Sequence, residues 1–284
     1  HEVKNISEKK SDEADAEWLM LLHTYGLLKA SYQPENEARQ VRNLARHRSN
    51  ILKSAGKEVQ HMQKAMEQMN IKLSNVLSDI VGKSGRAIID AILKGERRPE
   101  VLAQLADGRC KRSKEDIALS LEGTWDEDHL FELKQAYDLY KYLQTQMTEC
   151  DHKIEELLMS YAAVVDTDMS GLVKCNKTIC KKNAVDFDVE KYGYAIWGIN
   201  PMTIPGMSAG SVLQLIGELG HNFVDKFDTP EKFCKWCNIV PNNRISGGKL
   251  ISSRVPKRKN PVGQVFRLCA NALQDAKNPM GFYF

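Results

Sequence analysis

A serine hydroxyl set among cations is the first feature of this sequence that could do chemistry. Ser246 lies in Pro241-Asn242-Asn243-Arg244-Ile245-Ser246-Gly247-Gly248-Lys249. Arg244 and Lys249 flank it, and Arg254, Lys257, Arg258 and Lys259 follow, with no Asp or Glu between Arg244 and Lys259. The proline, the paired asparagines and the paired glycines argue against regular helix or strand, so the segment reads as an exposed loop. Such a loop attracts a phosphate ester. Two roles for Ser246 are open: its hydroxyl caps a local backbone N–H in a Ser-Gly-Gly turn, or it attacks a phosphodiester while the cations stabilise the charge on the phosphoryl oxygens. The local spacing does not choose between them, because no base accompanies the serine.

A second group of candidates lies near the start. Ser11 is a suitable N-cap, Asp12, Glu13 and Asp15 suit the positive end of a helix, and Trp18, Leu19, Leu21, Leu22 and Tyr25 give that helix an apolar face. Asp12 and Asp15 are three apart and share a helical face, where they either complement the helix dipole or hold part of a divalent-metal site. Zinc is a weaker candidate: Cys175 and Cys180 are loosely spaced, and Cys237 sits in an apolar run suited to a small core residue.

Long helical elements must position these groups. A basic stretch with Arg39, Arg42, Arg46, His47 and Arg48 opens a helix near Asn36, and Met62, Met66, Met69, Leu73, Val76 and Ile80 continue it as a heptad seam. Shorter helices at 87–93, 99–105 and 117–121 form a tip. From about Asp126 a second seam runs through Ala136, Tyr140, Leu143, Met147, Cys150, Ile154, Leu157 and Tyr161. Two seams joined by a tip predict an antiparallel helical arm, paired either within the chain or with another copy. The arginines at its start read as a solvated face or as a track along a phosphate backbone. A polar hinge follows, and then Ile204-Pro205-Gly206-Met207-Ser208 leads into an amphipathic segment ending at Gly220. That pattern predicts a helix-hairpin-helix unit, with the Gly206 turn offering backbone N–H groups to a DNA phosphate, or else a plain helix–helix turn. A short helix over 232–237 and a closing helix over 262–276 bracket the serine segment. The closing helix is expected to pack behind that segment and hold it rigid.

The totals bound the function. With 284 residues and 42% hydrophobic content, the chain has material for two domains and real cores. The formal net charge of +3 is small, so attraction to nucleic acid must come from local clusters. There is no apolar run long enough to span a membrane and no signal-peptide pattern, and seven scattered cysteines suit a reducing compartment, so a cytoplasmic protein is expected.

Taken together, the helix-hairpin-helix pattern, the short aromatic helix, the Pro-x-x-x-x-Ser-Gly-Gly-Lys segment and the basic tail resemble the C-terminal domain of the DEDD-type insertion-sequence transposases, the insertion sequence 110 group. Lys10-Ser11-Asp12-Glu13-Ala14-Asp15 with Trp18-Leu19 resembles the end of that family's RuvC-like domain, and the arm also fits. The resemblance implies a mainly α chain: a C-terminal remnant of an RNase H-like (RuvC-like) α/β domain over 1–35, a coiled-coil arm with a helical tip over 36–164, a basic hinge over 165–195 and a transposase domain over 196–284. It implies a DNA recombinase in which Ser246 forms a covalent phosphoserine linkage, with Lys249 and Arg254 as phosphate clamps. Asp12 and Asp15 would bind Mg²⁺ with two further acids that precede His1. Arg39, Arg42 and Arg46 would contact nucleic acid, a structured guide RNA would supply specificity by base pairing, and a homo-oligomer, dimer or tetramer, would assemble the site. A non-catalytic DNA-binding module and a helical scaffold are the alternatives.

Overall fold

The computed structural model describes residues 11–28, 31–176, 183–257, 259–274, 276–279 and 281–283. The chain divides into two units, His1–Gln33 and Pro34–Phe284. In the first, α1 (Asp12–Thr24) begins at the predicted cap, where the Ser11 hydroxyl accepts from the Ala14 N–H at 3.2 Å. None of its residues is buried, and Leu19, Met20, Leu21 and Tyr25 are exposed.

The second unit is built on two long helices, α2 (Asn36–Gln68) and α7 (Glu127–Val165). Four short helices join them: α3 (Leu73–Val76), α4 (Lys83–Leu93), α5 (Pro99–Gln104) and α6 (Lys114–Leu119). After α7 come α8 (Val189–Trp197), α9 (Ala209–Leu219), α10 (Pro230–Trp236), the strands β1 (Asn242–Ser246) and β2 (Lys249–Arg254), and α11 (Pro261–Asn271). α2 and α7 run antiparallel, because Met62 and Met66 near the end of α2 share a core with Leu133 and Tyr137 near the start of α7. At the other end Ala38 and Val41 pack with Leu158 and Tyr161. The pairing left open by periodicity is thus made within one chain. The first seam does not continue as one helix: α2 stops at Gln68, Asn70 takes a positive φ of 62°, and Leu73 and Ile80 reach the same core from the tip segments.

The described residues form three apolar cores. The tip core gathers α2, α3 to α6 and α7, with Ile88, Ile89, Ile92, Leu102, Ile117 and Leu121 buried. The base core joins α2 and α7 to Tyr192 and Ile196 of α8 and Val212, Leu213 and Ile216 of α9. The third core packs the other face of α9, Leu215 and Leu219, on Cys237 and on Val262, Val265 and Cys269 of α11. Because α9 serves two cores and α8 starts inside the expected hinge, the arm and the C-terminal segment share packing. α2 and α9 approach most closely at Gly217, where an added Cβ would lie 2.6 Å from the Arg42 Cα. Among the described residues no helix is long and apolar enough to cross a membrane.

Candidate nucleic-acid interface

The predicted loop around Ser246 is a β-hairpin. Gly247 and Gly248 take positive φ values of 56° and 74°, the pattern of a type I′ turn, whose twist suits a two-residue hairpin connection. Ile245, Leu250 and Ile251 supply β-propensity on either side. The glycine pair that argued against strand therefore nucleates one.

The hairpin's register organises its chemistry. Asn242 pairs with Arg254, Arg244 with Ser252, and Ser246 with Lys249, while Asn243 pairs with Ser253 and Ile245 with Leu250. The pairing shifts between Arg244 and Ile245, leaving Ile251 without a cross-strand partner, as in a β-bulge. Paired residues share a face and successive residues alternate. One face accordingly carries Arg244, Ser246, Lys249 and Arg254 together with Asn242 and Ser252. The other carries Ile245 and Leu250, and there the Ser253 hydroxyl donates to the Asn243 side-chain Oδ1 at 2.8 Å. Lys249 and Arg254 are five apart and would face opposite ways in a regular strand, so the bulge brings them to the same side. All of Arg244, Ser246, Lys249, Arg254, Lys257 and Lys259 are exposed, and among the described residues these cations make no ion pair and the Ser246 hydroxyl no hydrogen bond. Arg258 lies outside the described residues.

The base of the hairpin is pinned. The Asn260 side chain accepts from the N–H groups of Val262 and Gly263 at 2.9 and 3.2 Å and donates to the Trp236 carbonyl at 3.0 Å. Gly263 passes so close to Cys237 that a Cβ would lie 2.0 Å from its carbonyl oxygen, and Arg267 donates to the Asn238 carbonyl. α11 therefore holds the two ends of the hairpin side by side, in place of the expected packing behind the serine. Burial pushes the Cys237 thiol up to about 12, in keeping with its place in the core rather than at a metal. Cys175 donates to the Met202 carbonyl, and Cys180 lies outside the described residues.

The other sequence candidates lie on other elements of the chain. Asp12 and Asp15 are exposed on the first turn of α1, and among the described residues no three His, Cys, Asp or Glu groups gather as a metal site. Mg²⁺ keeps several waters and takes one or two protein carboxylates, so the pair can supply part of such a site. Gly206 is i+2 of a turn closed by the Met207 N–H on the Ile204 carbonyl at 3.2 Å, with φ of 82°. Its missing side chain makes room for the Cys269 carbonyl, to which a Cβ would come within 2.4 Å, so the close approach there is to α11.

The arginines of α2 turn toward the protein. Arg46 donates to Glu218 of α9 through Nε at 3.1 Å and a terminal nitrogen at 2.5 Å, and Arg42 lies 3.7 Å from the same carboxylate. Arg48 is buried, makes a two-pronged bond to Asp151 of α7, and donates to the Asn183 and Ala184 carbonyls. Arg39, exposed, donates to Asn36 at 3.3 Å. The expected phosphate track is largely a set of internal ties. Sequence reading also missed Glu35, whose carboxylate accepts from the Tyr161 hydroxyl, from the His221 N–H at 2.6 Å and from the His221 ring at 2.7 Å, tying together the ends of three helices. Burial alone would raise Glu35, but these bonds and the His221 ring outweigh it and hold the carboxyl below the usual range. Only the pairing of Pro34-Glu35 before one helix with Gly220-His221 after another hinted at this junction.

Residues 201–281 match the family model described as Transposase IS116/IS110/IS902 family. No curated protein and no solved structure matches the chain. The matched segment runs from the 3₁₀ turn before α9 past α11 to residue 281 and includes the whole hairpin, so the part of the chain that carries Ser246 is similar to the transposases of that family.

Proposed function

We propose that this protein cuts and rejoins DNA through Ser246. The observation that carries the reading is the bulged register, which sets the Ser246 hydroxyl on one hairpin face with Arg244, Lys249 and Arg254. Opposed residues on such a face have Cβ atoms about 5 Å apart, so a phosphodiester lying across it meets the hydroxyl and several cations together. The serine oxygen forms a bond to phosphorus, the bond from phosphorus to one sugar oxygen breaks, and the hydroxyl proton passes through solvent to the departing oxygen. One phosphodiester replaces another, so the link can be reversed onto a new strand end without an external energy source. The cations stabilise the negative charge spread over the phosphoryl oxygens.

The hairpin's cations contact backbone and carry no sequence information. A structured guide RNA whose base pairing selects the site fits that division of labour, as does a homo-oligomer acting on two DNA segments. Asp12 and Asp15, exposed on the first turn of α1, would hold Mg²⁺ together with further acids, and the ion would supply positive charge against the phosphoryl oxygens. A non-catalytic reading, in which the hairpin only holds DNA, is favoured by one observation: among the described residues no base bonds the Ser246 hydroxyl. Ser246→Ala separates the two. The recombinase reading expects loss of strand cleavage with DNA affinity retained, and cleavage at the original rate by the variant would overturn it.

A further inference from the structure

A second cation-rich cleft lies at the opposite end of the arm. It has a volume of about 470 Å³ and opens between the start of α4 and the turn from Asp107 to Arg112. Four cations line it, Lys83, Arg109, Lys111 and Arg112, against two carboxylates. Both carboxylates are already engaged. Asp107 accepts from Arg109 Nε at 3.0 Å and Lys83 Nζ at 3.2 Å, and Asp79 accepts from the Val81 N–H at 3.2 Å. The Asp107 N–H donates to the Ser84 hydroxyl at 2.9 Å, which fixes one wall of the cleft to the other. Lys111 and Arg112 are exposed and make no ion pair among the described residues, so the cleft keeps two uncompensated positive charges. α4 adds to this field: its N-cap is Gly82, with no side chain to bond the first turn, and the positive end of this eleven-residue helix faces the same opening.

We propose that this cleft binds a phosphate of a nucleic-acid backbone, giving the protein a point of attachment separate from the Ser246 hairpin. The inference rests on the reading of the protein as a nucleic-acid enzyme. The 33 residues of α2 span about 50 Å between the base and the tip, so one bound nucleic acid must be long to reach both. The chemistry is that of a phosphate group, and its source is a polynucleotide rather than free phosphate.

The test uses the full chain and a labelled DNA duplex and RNA hairpin, titrated by fluorescence anisotropy from low to high salt. Lys111→Gln with Arg112→Gln is expected to weaken binding about tenfold irrespective of sequence and to lower the slope of log affinity on log salt by about two, one for each cation removed from a phosphate. Lys57→Gln with Lys94→Gln removes the same charge from exposed sites away from the cleft and is expected to leave both readouts unchanged. Equal effects of the two pairs, or no effect of the first, would overturn the proposal. So would inorganic phosphate binding at the cleft, seen by chemical-shift changes at Lys111 and Arg112, without any change in oligonucleotide affinity between wild type and variant. If Arg244→Gln with Lys249→Gln weakens binding while the tip pair does not, the tip assignment fails and the hairpin reading stands. If the wild type binds no nucleic acid, both fail.

Discussion

The arginines of α2 and the cations of the hairpin are the same residue types at similar density, yet they do opposite things. Arg42 and Arg46 are drawn to Glu218, and Arg48 is buried against Asp151. Arg244, Lys249 and Arg254 have no carboxylate partner among the described residues and share a face with a free hydroxyl. A run of basic residues is thus left open to a phosphate only when the fold brings no acid to it. The acids that neutralise α2 arrive from α7 and α9, far away in sequence. The hairpin escapes because its pairing is local and its segment carries no acid at all.

That contrast can be broken most severely at Arg48. Replacing it with Met leaves the Asp151 carboxylate buried and alone, a loss of about 3–5 kcal/mol that should appear as a large fall in melting temperature. DNA affinity of the folded fraction, measured well below the new midpoint, is expected to stay near wild type. A stable variant with weakened DNA binding would place Arg48 on the wrong side of the comparison.

The converse substitution is the triple change Arg244→Gln, Lys249→Gln and Arg254→Gln. DNA affinity should fall by about tenfold or more and the salt slope by about three, while stability moves by only about 0.5 kcal/mol, since these side chains touch nothing buried. Glu218→Gln sharpens the boundary between the two regions. With Glu218 largely buried and Arg46 half exposed, the variant is expected to lose about 1–2 kcal/mol, read in urea unfolding, and to gain slight salt-sensitive DNA affinity as Arg42 and Arg46 are released. Unchanged affinity would mean that those arginines face away from any bound strand.

The smallest effect concerns the junction at Glu35. Its folded-state pKa lies below the ordinary 4.5, so its bonds to Tyr161 and His221 contribute stability that is fully present above that value and is lost as pH falls through the lower folded one. Thermal stability measured from pH 6 down to pH 3 should decline less steeply in Glu35→Gln than in wild type. Parallel curves would show that the carboxylate is not held as described.

Much of the scaffold is legible in the sequence. The starts of α2 and α7, the tip helices and the Ser11 cap follow from periodicity and capping, which are local properties. What escapes is set by distance in the chain or by backbone sign. Arg48 and Asp151 are 103 residues apart, and Glu35 and His221 are 186 apart, so nothing in either neighbourhood announces the pairing. At Ser246 the residue types point to the chemistry but not to the geometry. Gly247-Gly248 reads as a breaker because glycine opposes strand, yet two positive φ values in succession are what a tight hairpin turn demands. The bulge at Ile251, which turns Arg254 to the face that Ser246 and Lys249 share, leaves no mark in residue type.

Covalent attachment of DNA to the Ser246 oxygen is tested most directly by the mass of a peptide. Trypsin cuts after Arg244 and Lys249 and releases Ile245-Ser246-Gly247-Gly248-Lys249 from protein that has been trapped on DNA and trimmed with nuclease. This peptide is expected to carry a nucleotide on Ser246, and Ser246→Ala protein is expected to yield no covalent DNA at all. A nucleotide on any other peptide, or an undiminished adduct from the variant, would contradict that assignment.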